Sequence, residues 1–460
     1  MQALLFPDDA PQRASGRGAF LRALTRTCQR RVLAACAYCQ AGSKSCWDPA
    51  PWSYVSRRAI ASILGLVAAI SILSTAYAAD DLIARGKYLA TLGDCASCHT
   101  RRGGPAFAGG VAFRTPFGRL YSTNISPDRE TGIGKWSAED FYRAMHWGVR
   151  PDGAHLYPAF PYTNFTLLSR KDTDAILTYL RTVQPAHAPA RQNELRIGLG
   201  WRGLVSVWNR INFKPGTFRP DPARSPIWNR GAFLVHGLGH CGLCHTPKTA
   251  LYANRIDQPL WGEVMENWFA ADLTGNSHEG LGRWSLTDII QYLKTGRSAR
   301  GRVTGTMAEV VRNSTSRMTD EDRLAIATYL KSLPASHPAT AGHRPDLQMM
   351  QEGQATYVQT CSLCHEPHGE QPAIAPRLQG DTVVLSRNST TIIRIVLQGA
   401  QSFHVPTDRT NFSMPAFAAL SNREIAGVVT FIRNAWGNRA SAATEADVSA
   451  LRKTLLRPSG

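Results

Sequence analysis

The chain has 460 residues, of which 43% are hydrophobic and 19% are charged, and its formal net charge is +18. These values are typical of a globular protein of two to four domains and exclude general disorder. The sequence shows no Gly-rich nucleotide loop, paired carboxylates or nucleophile constellation, so we do not expect the chain alone to oxidise an organic substrate.

The first 78 residues differ in character from the rest. An apolar run from Ala59 to Leu73 follows two arginines and precedes Ala76-Tyr77-Ala78, which is the order of parts in a secretory signal peptide. We predict export, with cleavage after Ala78. The alternative is an uncleaved anchor helix, because 59–78 is just long enough to span a bilayer. Since a signal peptide stands at the start of a protein, we expect residues 1–54 to precede the true start of translation.

Beyond this segment, the pattern Cys-x-x-Cys-His occurs three times. Two thiols one helical turn apart can each form a thioether with a vinyl group of haem, while the adjacent imidazole reaches the iron. Zinc is the alternative, but a zinc site needs two such pairs on one metal, and these motifs stand more than a hundred residues apart. We therefore predict three covalently bound haem c groups. Their expected cysteines and proximal histidines are Cys95, Cys98 and His99; Cys241, Cys244 and His245; and Cys361, Cys364 and His365.

Each motif stands between two amphipathic helix patterns. The opening patterns are residues 84–90, 229–235 and 353–358, and the closing patterns are residues 172–180, 320–333 and 422–436. Two crossing helices around a haem are typical of the small cytochrome c domain, and a repeat of roughly a hundred residues fits that size. We predict an all-α fold of three tandem cytochrome c domains, each a few helices around its haem. The predicted segments are domains at 80–185, 228–335 and 346–440, a basic tryptophan-containing linker at 186–227, and a polar tail at 441–460.

The connection between the first two domains is too long for a plain linker. From Leu195 to Phe213, apolar residues alternate with arginines and include Trp201 and Trp208. This pattern predicts a basic amphipathic helix. Three interpretations stay open, namely docking on a membrane surface, docking on a partner subunit, and packing across the haem domains.

The residue opposite each proximal histidine determines whether a haem transfers electrons or binds a ligand, and a methionine sulfur there raises the potential. A methionine is expected roughly fifty to sixty residues after the motif in this kind of domain. Met307 and Met414 stand at that distance after the second and third motifs, and we predict them as sixth ligands. Met318 and Met265 are the competitors for the second haem.

The first domain differs, because the position that matches Met307 is Phe160, which cannot bind iron. His146, Met145 and His155 are the nearby alternatives. We expect His146 to be the sixth ligand, which would give a bis-histidine haem of lower potential, with Met145 as the alternative. An open site at this haem would instead permit the binding of a small ligand or peroxide.

The first two domains also share a loop, at 124–137 and 272–285. Its next-to-last residue is Trp136 in one domain and Trp284 in the other. We expect these indoles either to donate a hydrogen bond to a haem propionate or to pack in the core.

From about residue 80 to 440, the chain resembles the tri-haem cytochrome c subunits of bacterial membrane-bound dehydrogenases, which include the alcohol, gluconate, sorbitol and fructose enzymes. The resemblance covers nearly the whole mature chain. The stretches that carry it are residues 93–99, 121–125, 239–247, 307–311, 414–417 and 432–438.

The resemblance implies an electron-transfer subunit rather than the substrate-oxidising subunit. It would accept electrons from a partner that carries flavin, a quinone cofactor or molybdenum, and deliver them to ubiquinone or a terminal oxidase at the periplasmic face of the cytoplasmic membrane. The family's distal methionines match Met307 and Met414, and many members have methionine where Phe160 stands here. The family's C-terminal membrane-associating segment is not evident, because residues 440–460 are polar and basic.

For an exported haem protein, the basic charge favours an acidic partner or anionic lipid over nucleic acid, so peripheral membrane association is expected. Two alternatives to the subunit role stay open. One is a stand-alone periplasmic electron carrier, and the other is a haem enzyme that uses an open first haem.

Overall fold

The computed structural model describes Ser62 and residues 79–336, 345–365, 375–401 and 413–456. Apart from Ser62, the predicted signal segment lies outside the described residues, as do the predicted translation start and the last four residues. Apart from Ser62, all described residues belong to one unit, Ala78–Gly460.

The region of the first motif consists of helices and one small sheet. The helices are α1 (79–92), α2 (Cys95–His99), α3 (Ala138–Trp147), α4 (Tyr162–Phe165) and α5 (Arg170–Leu180). The strands β1 (Ala112–Thr115), β2 (Gly118–Tyr121) and β3 (Glu194–Leu195) form an antiparallel sheet in the order β1-β2-β3, with Phe113 opposite Leu120.

A separate helix, α6 (Gly203–Asn212), precedes the region of the second motif. The helices of that region are α7 (Pro226–Phe233), α8 (Gly242–His245), α9 (Leu286–Thr295), α10 (Gly305–Asn313) and α11 (Asp320–Lys331). Helix α7 continues into a π-helical turn, Leu234–Leu238, and a 3-10 turn, Thr315–Arg317, precedes α11. Two antiparallel hairpins pair β4 (Glu263–Met265) with β5 (Trp268–Ala270) and β6 (Arg297–Ser298) with β7 (Gly301–Arg302).

The region of the third motif is also mainly helical. Its helices are α12 (Leu347–Thr360), α13 (Ser362–His365), α14 (Thr382–Leu385), α15 (Thr390–Gln398), α16 (Asn422–Asn434) and α17 (Glu445–Leu455). Strands β8 (Ala400–Gln401) and β9 (Ser413–Met414) pair antiparallel. The expectation of an all-α fold is confirmed, because helices dominate and the strands are few and short.

Local sequence explains where many of these helices begin. Helices α3, α5, α9, α16 and α17 each start with a capping box, in which a Ser or Thr side chain accepts from the third backbone amide and an Asp or Glu there accepts from the cap amide. Gly148 and Gly296 end α3 and α9 in the left-handed conformation that glycine adopts without strain. The closing helices α5, α11 and α16 therefore begin within two residues of their predicted positions.

Each opening helix (α1, α7 and α12) passes its closing helix at a glycine. A Cβ atom built on Gly86 would lie 1.9 Å from the carbonyl oxygen of Ala175. For Gly231 and Gly353 the same distance is 2.0 Å and 2.1 Å, to the carbonyl oxygens of residues 325 and 427. Real Cβ atoms do not approach so closely, so these backbones can touch only where the side chain is a hydrogen atom.

An aromatic side chain packs beside each glycine from the closing helix. The Cβ atoms of Tyr179, Tyr329 and Phe431 lie 2.9, 2.7 and 2.9 Å from the position of the added Cβ. An ion pair also joins the two helices in every case, through Arg85 and Asp172 (2.6 Å), Arg230 and Asp322 (2.7 Å), and, with the signs reversed, Arg423 and Glu352 (2.7 Å). The same crossing is thus built three times.

The regions of the first two motifs share one apolar core, whereas the third has a core of its own. Polar contacts also cross between the first two. Tyr88 of α1 donates to Asp322 of α11 (2.8 Å), and Ser314 donates to the carbonyl of Leu92 (3.0 Å). The first two regions therefore form one packed body. The predicted domain boundaries themselves stay a prediction.

The linker is less helical than predicted. The pattern from Leu195 to Phe213 predicted one helix, but α6 begins only at Gly203. Gly198 has a φ of 83°, and Gly200 follows it, so the chain turns before it can become helical.

We expect Gly231→Ala to destabilise the protein by about 1–3 kcal/mol, because the added methyl group forces α7 away from α11. The free energy of unfolding in urea, followed by circular dichroism, measures this loss. Gly216→Ala is the matched control, since no atom lies within 4 Å of its added Cβ. Equal stability of the two variants would contradict the crossing argument.

Candidate haem sites

The three Cys-x-x-Cys-His motifs form short helical turns, and each follows its opening helix. Five of the six motif cysteines are partly buried, and Cys364 is exposed. The side chains of Cys95 and Cys241 pack against the core of the first two regions, and Cys361 packs against the third core. The thiols therefore line apolar space, which suits a macrocycle with hydrophobic faces.

The three predicted proximal histidines make the same second contact. The Nδ1 atom of His99 donates to the carbonyl of Thr123 (2.7 Å). His245 donates in the same way to residue 271 (2.7 Å), and His365 donates to residue 376 (3.2 Å). A backbone carbonyl on Nδ1 fixes the tautomer and leaves Nε2 free to bind a metal.

Burial favours the neutral forms of the motif thiols and imidazoles. It raises the pKa of Cys95, Cys98 and Cys241 to about 12. It also lowers the pKa of His99 and His245, although the carbonyl on Nδ1 opposes this effect in both. Neutral imidazole is the form that binds a metal ion. Two thiols, one oriented imidazole and adjacent apolar packing fit a covalently attached haem, whose iron supplies the one-electron chemistry.

The first two motifs approach each other closely. Asp94 directly precedes the first cysteine of the first motif, and His240 directly precedes that of the second. Their φ angles are both positive, at 50° and 38°. The Nε2 atom of His240 contacts the carbonyl of Gly93 at 3.3 Å. Asn313 of the second region donates to Ser97, which lies between the two cysteines of the first motif (2.6 Å). The two sites are therefore neighbours within one body.

The predicted sixth ligands Met307 and Met414 are both partly buried beside the cores. Met307 lies in α10 and packs against the shared core and against Val303 and Val311. Met414 lies in β9, opposite Ala400, and packs against the third core.

The competitors for the second haem have other surroundings. Met318 is buried in the shared core, and the sulfur of Met265 accepts a hydrogen bond from Tyr252 (3.5 Å). These placements do not test the sixth ligands directly, and Met307 and Met414 stay predictions.

In the first region, Phe160 packs in the shared core with its ring 5.5 Å from that of Phe165. Met145 and His146 are both buried and lie side by side on α3. Consecutive helix residues point about 100° apart, so the two side chains face different surroundings. His155 lies in the loop that follows, where it pairs with Val149 in an isolated bridge.

Among the described residues, His146 has a buried Nδ1 without a hydrogen-bond partner. Its ring stacks on Tyr142 with 5.0 Å between centroids, and Trp147 packs edge-on at 4.6 Å. Burial lowers its pKa, and the nearby backbone of Thr166 opposes that shift. The ring is therefore held neutral, as a ligand must be, and the prediction that it binds the first haem stays a prediction.

Trp284 packs in the shared core, which is the second of the two arrangements expected for it. Its indole is buried and donates to the hydroxyl of Thr382 in the third region (2.9 Å). The indole thus joins two regions. Trp136 is partly buried and packs against the shared core.

Known proteins resemble the chain over most of its length. A family model of cytochrome c matches residues 83–184 and 350–436. The gluconate 2-dehydrogenase cytochrome c subunit of Pantoea cypripedii is 38% identical over 421 residues, which are 85% of this chain and 95% of that protein. The cytochrome c subunit of the quinone alcohol dehydrogenase of Komagataeibacter europaeus is 37% identical over 417 residues (86% and 89%). The fructose dehydrogenase cytochrome subunit of Gluconobacter japonicus is 36% identical over 400 residues (79% and 81%).

The chain belongs to the cytochrome c subunits of dehydrogenases. This confirms the resemblance drawn from the motifs, and it implies covalent haem c and electron transfer. In this cytochrome c subunit, none of the helices that the structure describes has both the length and the hydrophobicity for a bilayer crossing.

The cytochrome c subunit also contains a buried ionic junction that the sequence reasoning missed. Arg387 of the third region contacts Asp272 (3.2 Å) and Glu279 (3.0 Å) of the second, and both carboxylates are at most 1% exposed. Asp272 directly follows Ala271, the residue whose carbonyl accepts from His245. The junction thus fixes the segment that orients the second proximal histidine.

If His146 binds the first haem of the cytochrome c subunit, His146→Ala will abolish the bis-histidine signal in electron paramagnetic resonance. A spectroscopic redox titration will then show a shift of the lowest-potential centre alone. Met145→Leu is the matched control and should leave every centre unchanged. Loss of a His/Met signal in Met145→Leu, with His146→Ala normal, would show that Met145 is the ligand.

We expect Arg387→Met to cost about 3–5 kcal/mol of unfolding free energy, because it removes a positive partner from two buried carboxylates. Arg423→Met removes an ion pair whose members are both exposed, and should cost far less than Arg387→Met. Urea unfolding of both variants measures the difference. Similar losses would mean that the junction contributes no more than a surface pair.

Proposed function

We propose that this chain is the tri-haem electron-transfer subunit of a dehydrogenase complex. It receives electrons from a catalytic subunit of flavin, quinoprotein or molybdenum type and passes them to ubiquinone or a terminal oxidase. The observation that carries the proposal is the threefold repetition of one arrangement, in which a Cys-x-x-Cys-His turn presents an imidazole whose Nδ1 is bound to a backbone carbonyl. The named relatives are cytochrome subunits of alcohol, gluconate and fructose dehydrogenases, which supports a dehydrogenase as the partner.

The same repetition supports the proposed number of three haems. The crossing glycine, the aromatic beside it and the ion pair between helices recur around all three motifs. The middle motif, which the cytochrome c family model does not cover, has the same surroundings as the other two. Each motif, together with these surroundings, therefore supports one haem.

The proposal places the mature protein at the periplasmic face of the cytoplasmic membrane, where it associates peripherally. The signal pattern at 59–78 supports export, and covalent haem attachment is consistent with it. The basic net charge supports contact with anionic headgroups or an acidic partner.

We expect a pyridine haemochrome assay to give three haems per chain. Replacing Cys361 and Cys364 by alanine should reduce the count to two, with the other two spectra unchanged, because the third region has its own core. A tagged chain purified from its native membrane should retain a dehydrogenase subunit, and that enzyme's substrate should reduce the haems.

Two haems in the unaltered chain would refute the tri-haem proposal. A chain that purifies alone and is reduced by no dehydrogenase would favour the stand-alone carrier. Carbon monoxide binding to a high-spin haem, together with peroxide turnover, would favour the haem enzyme.

A further inference from the structure

Helix α6 presents apolar side chains to solvent. Leu204, Val207 and Ile211 are exposed, the last two by 56% and 66%. Their spacing of three and four residues places them on one side of the helix. An amphipathic helix of a globular protein normally turns this side towards the core.

The opposite side of α6 is fixed to the protein. Val205 is buried, and Asn209 accepts a hydrogen bond from the buried hydroxyl of Tyr162 at 2.5 Å. The indole of Trp208 donates to the carbonyl of Leu251 in the second region (2.9 Å). These contacts hold the apolar side outward, so its exposure is a property of the packed structure.

Three further exposed apolar residues lie near α6. Ile197 and Trp201 precede the helix in the chain, and Leu251 contacts it through Trp208. Trp201 is 69% exposed, Ile197 is fully exposed, and Leu251 is exposed beside the Trp208 contact. We call these residues the linker patch, which consists of Ile197, Trp201, Leu204, Val207, Ile211 and Leu251.

The stretch that contains most of the linker patch is basic, and Glu194 and Asp221 border it in the sequence. From 195 to 220 the sequence contains no aspartate or glutamate. It contains five basic residues, Arg196, Arg202, Arg210, Lys214 and Arg219, and all except Arg202 are exposed. An apolar helix side with a tryptophan and flanking arginines is typical of a helix that lies in a membrane interface.

We propose that the linker patch is the surface by which this protein docks on an anionic phospholipid membrane. The apolar side chains enter the boundary between headgroups and acyl chains, and the basic side chains contact lipid phosphates. The patch lies on the exposed side of a helix, and a lipid surface accommodates such a side without a complementary pocket. The inference rests on the proposed membrane location and assigns it to specific residues.

Co-sedimentation with sucrose-loaded vesicles tests this assignment, with the haem absorbance of the purified full chain as readout. We expect binding to vesicles of phosphatidylglycerol and phosphatidylethanolamine, and little binding to phosphatidylcholine. Val207→Ser combined with Ile211→Asn should lower the partition coefficient about tenfold, since each replacement removes an apolar side chain that would be buried among the acyl chains. Arg210→Gln combined with Lys214→Gln should lower it about tenfold on anionic vesicles, and salt should remove that difference.

Matched controls carry the same kinds of change elsewhere on the surface. Leu347→Asn with Val358→Ser alters two exposed apolar residues of the third region, and Arg439→Gln with Lys453→Gln alters two exposed basic ones. These variants should bind vesicles as the unaltered chain does. Unchanged redox potentials in all variants would show that the haem domains are intact.

The possible outcomes distinguish the linker-patch proposal from the proposed membrane location. If the unaltered chain binds vesicles and the patch variants bind equally well, the linker patch is not the docking surface, and the membrane location stands. If the unaltered chain binds no vesicles, both fail. If the patch variants bind vesicles normally but lose the dehydrogenase subunit on purification, the patch is a protein interface and the lipid assignment is wrong.

Discussion

Contact between two helix backbones is the interaction on which the rest of the structure depends. Gly86, Gly231 and Gly353 allow each opening helix to touch its closing helix at distances that any side chain would prevent. Because a Cys-x-x-Cys-His turn follows each opening helix, this contact also fixes where the thiols stand. The aromatic residue of the closing helix then packs beside the crossing, and so one close approach positions both the attachment site and part of its surroundings.

Two kinds of association join the three copies. The first two share an apolar core and place their haem motifs next to each other, with Asn313 contacting Ser97. The third has a separate core and is joined through polar contacts, which include Trp284 with Thr382 and Arg387 with Asp272 and Glu279. A shared apolar core favours a fixed distance between the first two sites. The ionic junction instead ties the third region to the segment that orients His245.

Sequence patterns predicted the motifs, the helical class and the closing helices, because these depend on residues close together in the chain. Capping boxes such as Ser169 with Asp172 made helix starts especially predictable. The carbonyls that accept from His99 and His245 belong to Thr123 and Ala271, which directly precede the two copies of the shared loop, so a signal for them existed. Arg387 had no such signal, since its partners stand more than a hundred residues earlier. The helix predicted from Leu195 failed locally, because Gly198 turns the chain.

The partial burial of the cysteines has a consequence for biogenesis. Cys95 and Cys241 pack against a core that the first two regions build together, whereas Cys364 stays exposed. An enzyme that attaches haem must reach both thiols of a motif, and a completed shared core would narrow its access to the first two motifs. If these motifs carry haem as we propose, we expect attachment there to precede closure of the shared core. On that proposal, cofactor loading and folding of this body would be coupled in time.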